Sequence, residues 1–295
     1  MRRLLLCALA IALAACHGPL HGLPATANAA GGRETVQFPG PGVTLSGELF
    51  LPVERAVPAR SPAIVLLHGC GGMYTARGQL TDRHHDWARR LAGWGFVALL
   101  VDSLGPRHLG SLCPLKERPI QAWQERSRDA YAALEYLTAR ADVDASRVFV
   151  MGWSHGGSTV MGVVRPEAPG LRADGPRFKA AIAYYPGCTQ PLRRLNYRPS
   201  VPLVIQHGAA DDWVPAAPCV VLAENMQRLG LAVTIHLYAE AHHGFDAPTG
   251  GVRFLPQVYN PRAPGERGAH VGRHEAARLQ AIAATKHFIE HHLAH

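Results

Sequence analysis

The hexapeptide Gly152-Trp153-Ser154-His155-Gly156-Gly157 constrains this chain more than any other stretch. It follows the apolar run Val148-Phe149-Val150-Met151 and precedes Ser158-Thr159-Val160-Met161, which reads as a helix start. Strand, sharp turn, helix is the context in which G-x-S-x-G presents a serine as a nucleophile. A serine hydroxyl is a weak nucleophile unless it stands clear of the backbone and meets a base. The flanking Gly152 and Gly156 leave room for a strained turn. A helix that begins at the serine aims its free N–H groups and positive dipole end at the place where an oxyanion would form. The same residues also fit a Gly/Ser loop in a Rossmann-like unit, so the rest of the chain has to decide.

Composition narrows the classes. At 295 residues and 47% apolar, the chain can bury a large core, and 18% charged residues is low for a cytosolic protein. The formal charge is +8, of which Arg2 and Arg3 supply two. The remaining Lys and Arg are scattered, without a basic run or aromatic-interleaved stripe, so they read as solvated surface and not as a nucleic-acid footprint. Arg2-Arg3 followed by the apolar stretch 4–15 has the layout of an export signal too short to span a bilayer. Leu13-Ala14-Ala15-Cys16 resembles a bacterial lipobox, which implies lipidation at Cys16. Ala27-Asn28-Ala29 is the alternative, an ordinary cleavage site. The expected division is residues 1–15 as signal peptide, 16–32 as flexible tether and 33–295 as one domain. The product is then a periplasmic or membrane-tethered enzyme, expected to be monomeric.

Export sets the redox context. Setting aside Cys7 and Cys16, an even number remains: Cys70, Cys113, Cys188 and Cys219. Two disulfides are expected, Cys70–Cys113 and Cys188–Cys219, because each pair lies on loops after successive, neighbouring strands. No C-x-x-C or Cys/His ligand spacing occurs, so no metal site is expected.

Residues 35–38 and 43–51 alternate apolar and polar around Gly40-Pro41-Gly42, an antiparallel hairpin. Residues 63–67 and 96–101 are continuous apolar runs of the buried-strand type. Further strands are expected at 179–185, 201–206 and 233–238, the last of them at 233–238. Helices are expected at 82–91, 120–140, 216–229 and 273–292. Strands alternating with helices predict an α/β fold, a mostly parallel central sheet with helices on both faces. The segment 247–272, with its prolines and glycines, reads as a surface excursion before the last helix.

Three more features fall after strands. His68-Gly69-Cys70-Gly71-Gly72 follows the strand at 63–67. His207-Gly208-Ala209-Ala210-Asp211-Asp212-Trp213-Val214-Pro215 follows the strand at 201–206, with Asp211 57 residues beyond the serine. Ala241-His242-His243-Gly244-Phe245 follows the strand at 233–238, with His243 32 residues beyond Asp211. All lie at the carboxyl edge of the sheet, where open α/β sheets place their sites. Together with G-W-S-H-G-G, these pieces resemble the dienelactone hydrolase family of the α/β-hydrolase superfamily, from about residue 43 onward.

The resemblance implies an α/β-hydrolase fold with Ser154 as nucleophile, Asp211 as orienting acid and His243 as general base. The backbone N–H groups of Cys70 and His155 would form the oxyanion hole. Asp211 fits the register G-x-x-D-x-x-V-P, and Asp212 is expected to cap the following helix. His242, His84, His85 and the histidines at 287, 291, 292 and 295 read as neighbouring or solvated side chains. The family's namesakes carry cysteine at the nucleophile position. Serine here turns the expectation from dienelactone itself toward other carboxylic esters and lactones, cleaved through an acyl-enzyme without a cofactor. Trp153 and Trp213 are the expected substrate-binding aromatics, while Trp123 reads as core. Arg107, His108, Lys116, Arg193 and Arg194 are expected to form a cationic rim favouring anionic or aromatic esters. The segment 165–178 is too short and polar for a lipase-type lid. A secreted peptidase is the rival enzyme, disfavoured because so few residues precede the catalytic region. A non-catalytic binding protein on the same fold is the rival outside enzymes.

Overall fold

Five consecutive apolar residues stay buried only if both faces of their strand are covered. Ala63, Ile64, Val65, Leu66 and Leu67 are each 0% exposed and belong to β3 (Ser61–Leu67). The computed structural model describes residues 32–52, 60–194 and 196–295; the expected export signal, Cys16 and residues 17–31 of the expected tether lie outside them. The other strands of the main sheet are β1 (Arg33–Gly40), β2 (Val43–Phe50), β4 (Val97–Asp102), β5 (Val143–Trp153), β6 (Ala181–Tyr184), β7 (Leu203–Gly208) and β8 (Val233–Tyr238). Their spatial order is β1-β2-β4-β3-β5-β6-β7-β8. β1 pairs with β2, and β2 with β4, antiparallel; every later pairing is parallel. The mostly parallel sheet with an N-terminal hairpin is the α/β-hydrolase arrangement expected.

The period of two divides the core. Val65 and Leu67 face one apolar layer, with Leu134 and Leu137 of α2 (Glu125–Thr138), Val160 of α3 (His155–Val163) and Leu222 of α5 (Ala217–Arg228). Ile64 and Leu66 face the other, with Trp87 and Leu91 of α1 (Asp82–Gly93) and Ala277, Ala281 and Ile289 of α6 (Glu275–Ala294). A one-turn α4 (Thr189–Leu192) precedes β7.

Two expected elements differ. The helix expected at 120–140 begins only at Glu125, because Gln124 has non-helical angles (φ −124°, ψ −94°) and the Glu125 carboxylate accepts the Gln121 N–H at 2.8 Å. The strand at 233–238 is not the last. Arg253–Tyr259 and Arg267–Val271 form a separate antiparallel pair, β9 and β10, with a register shift between Arg267 and Ala269. Pro256 inside β9, and exposure of most of its residues with only Val258 buried, hide this ribbon from a periodicity reading.

Both expected disulfides are present, Cys70–Cys113 and Cys188–Cys219. The first links the loops after adjacent β3 and β4, the second the segments after adjacent β6 and β7. They span 43 and 31 residues of chain. Replacing Cys188 and Cys219 together by serine is expected to lower stability by about 2–4 kcal/mol, read as an earlier guanidinium unfolding midpoint.

Candidate active site

Ser154 sits at the turn between β5 and α3 with φ 54° and ψ −115°, a conformation an L-residue adopts only under constraint. The constraint is close packing. A Cβ on Gly152 would run into the carbonyl of Gly156, and a Cβ on Gly156 into that of Leu67. The Ser154 N–H is held by the Tyr184 carbonyl at 2.9 Å. The half-buried side chain is thereby lifted at the end of the central strand.

Asp211 follows β7 and is 5% exposed. Its Oδ1 accepts the N–H groups of Trp213 (3.0 Å) and Val214 (2.8 Å), and its Oδ2 meets His243 Nδ1 at 2.7 Å. Burial opposes ionisation of this carboxyl, but the adjacent His243, then His207 and the Val214 N–H, hold its pKa below the ordinary carboxylate value. Asp212 does something else. It is exposed, its Oδ1 accepts the His270 N–H at 3.0 Å, and its Oδ2 meets His270 Nδ1 at 2.7 Å. It ties the loop to β10 and caps no helix: α5 begins at Ala217, with Ala216 as its uncapped leading residue.

His243 follows β8, with its ring 4.5 Å from that of Tyr185 and 4.9 Å from that of Trp213. Its Nε2 is buried and forms no hydrogen bond among the described residues. Ser154 and His243 line one cavity of about 590 Å³, together with Gly69, Cys70, Tyr185 and Trp213. No hydrogen bond joins Ser154 to His243, a looseness common before substrate binds. Ser154 also borders a smaller chamber of about 210 Å³ with His155, Arg118, Ser158, Trp213 and Arg262. The serine therefore stands where two chambers meet.

The loop after β3 runs beside it: a Cβ on Gly69 would lie 3.6 Å from the Ser154 Cβ. The backbone N–H groups of Cys70 and His155 have no hydrogen-bond partner among the described residues. Buried His68 anchors this loop. Its Nδ1 donates to the Gly69 carbonyl at 2.7 Å, and its Nε2 accepts the Ser103 N–H at 3.2 Å. Arg126, 0% exposed, donates to His155 Nδ1 at 3.1 Å. A guanidinium can only donate, so His155 is the tautomer that carries its proton on Nε2.

The chain matches the dienelactone hydrolase family over residues 49–293. The chain belongs to the dienelactone hydrolase family. It is 25% identical over 203 residues to a Bradyrhizobium protein named "Probable 2-oxo-3-(5-oxofuran-2-ylidene)propanoate lactonase", covering 64% of this chain and 75% of that one. It is 24% identical over 238 residues to human dipeptidyl peptidase 8, 72% of this chain but only 26% of that enzyme. Among solved structures, Thermogutta terrifontis esterase 2 aligns with TM-score 0.61 at 22% identity, over 88% of this chain and 94% of that one. A dienelactone hydrolase-like promiscuous phosphotriesterase from metagenomic libraries aligns with TM-score 0.61 at 20% identity, over 89% and 98%.

Within this family member, several expectations about the walls need correction. Trp153 is 1% exposed, and its indole N–H is committed to Asp246 at 2.8 Å, so its ring is core that only edges the cavity. Trp213 does flank both chambers. The expected cationic rim is not assembled. Arg107 grips Asp129 with both Nη atoms (2.9 and 2.7 Å), Lys116 pairs with Glu266 at 3.2 Å, and Arg194 lies over the Trp123 ring at 5.4 Å. The arginines at the chambers are instead Arg83 and Arg253 on the large one, and Arg118 and Arg262 on the small one. His84 is not solvated: it is 3% exposed, lines the large chamber and meets Thr81 Oγ1 at 2.7 Å. Trp123 is core, stacked on Tyr197. Among the described residues no group of three or more His, Cys, Asp or Glu side chains is arranged to hold a metal.

Sequence reasoning missed Asp246, Tyr185, Arg126 and Arg118. None stands in a motif with a fixed chemical role, and each reaches the site by long-range packing.

Four buried histidines share one pH consequence. Burial, reinforced by Arg126 for His68 and His155 and by Arg83 for His84, lowers the pKa of His68, His84, His155 and His207, that of His84 to about 3. A folded-state pKa below the unfolded value favours the neutral form, so this stability is complete above about pH 6.5 and drains away as pH falls below it. The guanidinium unfolding midpoint is expected to hold between pH 7 and 8 and to decline progressively on acidification below about 6.5. An unfolding midpoint unchanged down to pH 4 would contradict this.

Proposed function

We propose that this family member is a serine hydrolase that cleaves small carboxylic esters or lactones through an acyl-enzyme. The observation that carries the reading is the 2.7 Å pair of Asp211 and His243, whose buried Nε2 has no other partner among the described residues, in a cavity that His243 and Ser154 both line. His243 takes the Ser154 proton as the oxygen attacks the carbonyl. Asp211 fixes the imidazole so that Nδ1 carries a proton, and it stabilises the imidazolium. The tetrahedral oxygen forms against the unpartnered N–H groups of Cys70 and His155, each contributing about 3 kcal/mol by analogy with other oxyanion holes. The imidazolium gives its proton to the leaving oxygen. Water then repeats the sequence on the acyl-enzyme.

The unequal chambers support an ester with one compact side. Residues 165–178 run as a series of turns, consistent with a site that carries no lipase-type lid. Export with lipidation at Cys16 is part of the reading. The leader sequence and the two disulfides support it. Mass spectrometry of the mature N-terminus decides between a diacylated Cys16 and a free Ala30.

A fluorophosphonate is expected to label Ser154 and no other residue. Ser154→Ala and His243→Ala are each expected to remove turnover by about a million-fold, with the fold intact by circular dichroism. Asp211→Asn is expected to cost about 10⁴-fold and Asp212→Asn far less, because only the former meets the imidazole. If Asp212→Asn proves the poorer catalyst, the assignment of the acid is wrong. A series of p-nitrophenyl esters is expected to peak at short acyl chains. Preference for twelve carbons or more, or for peptide amides over esters, would sink the small-ester reading.

A further inference from the structure

A carboxylate that meets no solvent lies three residues beyond His243. Asp246 is 0% exposed. Its Oδ2 accepts the indole N–H groups of Trp87 (2.9 Å) and Trp153 (2.8 Å). Its Oδ1 accepts the Tyr185 hydroxyl at 2.7 Å and lies 3.1 Å from Arg83 Nε. Those partners come from α1, the end of β5 and the residue after β6, so one side chain ties three elements to the loop that carries His243.

Each partner adjoins something the reaction needs. Trp153 directly precedes Ser154. The Tyr185 ring is one of the two walls of the His243 imidazole. Arg83 also donates through Nη2 to the carbonyl of Gly244, next to His243, at 3.1 Å. Tyr185 itself has φ 38°, held in that conformation while its N–H bonds the Gln206 carbonyl and its hydroxyl bonds Asp246. Asp246 borders neither chamber.

We propose that Asp246 is a positioning residue, which sets the His243 imidazole against Ser154 through Tyr185 and Trp153 without touching substrate. The proposal rests on the serine-hydrolase reading above. A carboxylate is the group that fits, because two oxygens accept on all sides. An amide cannot do this. With its oxygen turned to the two indoles, Asn at this position presents its NH₂ to Tyr185 and Arg83. The tyrosine hydroxyl can turn round and accept; the guanidinium cannot. The Tyr185 wall then shifts, and the imidazole with it.

The test compares Asp246→Asn and Tyr185→Phe with the wild-type protein. Three quantities are read: kcat and KM on p-nitrophenyl acetate, the thermal midpoint, and the downfield proton resonance of the His243–Asp211 hydrogen bond, assigned by its loss in Asp211→Asn. Asp246→Asn is expected to lower kcat by about 100-fold with KM nearly unchanged, as misplacement from outside the reacting groups does. Its downfield resonance is expected to shift or broaden while the protein stays folded at the assay temperature. Tyr185→Phe keeps the ring but loses the hydroxyl, and about a tenfold fall in kcat is expected with the same spectral change. If Asp246→Asn fails to fold, Tyr185→Phe decides alone. A folded variant with wild-type kcat and an unmoved resonance, whatever its thermal midpoint, overturns the proposal. Should the wild-type protein neither hydrolyse the ester nor take up a fluorophosphonate at Ser154, the serine-hydrolase reading fails instead. The resonance then still reports whether Asp246 holds His243 in place.

Discussion

The strained backbone of Ser154 is the constraint from which the site is built. A non-glycine residue at φ 54° and ψ −115° is unfavourable by roughly 1–3 kcal/mol and survives only where its surroundings leave no alternative. Here they leave none. The strand behind it is buried from Val148 to Trp153, β3 runs alongside, and α3 starts without an intervening residue. The elbow is therefore as rigid as the core of the sheet. Asp211 and His243 arrive on loops from β7 and β8, and their precision has to come from side-chain bonds.

Those bonds concentrate charge in a buried place. Asp211 and Asp246 are buried carboxylates, and each is wrapped in partners: two backbone N–H groups and an imidazole for the first, two indoles, a phenol and the paired Arg83 guanidinium for the second. Burying a carboxylate without such partners is strongly unfavourable, so every donor is also a positional constraint. Behind the serine, the buried cation Arg126 and the neutral histidines 68 and 155 form the complementary cluster. It keeps positive potential behind the N-terminus of α3, where the proposed oxyanion collects.

The part of this design that depends on local chain chemistry was legible in the sequence. Residues 63–67 announced a strand covered on both faces, G-x-S-x-G announced the turn, and cysteines on successive loops announced both bridges. The ribbon β9–β10 was not legible, since a proline-bearing strand paired only with its neighbour lacks the alternation of a half-buried sheet. The helix start at Glu125 was hidden too, because apolar periodicity continues through residues 120–124 while one side-chain bond turns their backbone aside. The true partner of Asp212, His270, lies 58 residues further on and belongs to that same unforeseen ribbon.

Substrate choice falls in the illegible part for a physical reason. One fold carries both esterases and peptidases, and the likeness of this chain to an esterase and to part of a peptidase does not separate the two. Discrimination lies in the walls, and the walls are made by whichever charged side chains remain unpaired after folding. Arg107 and Lys116 looked free in the sequence and are not, because Asp129 and Glu266 claim them. A count of cations near a motif therefore says little about a rim. The informative quantity is the charge left over once internal pairs have formed, and only the folded chain shows which arginines, such as Arg118, line the chamber beside Ser154.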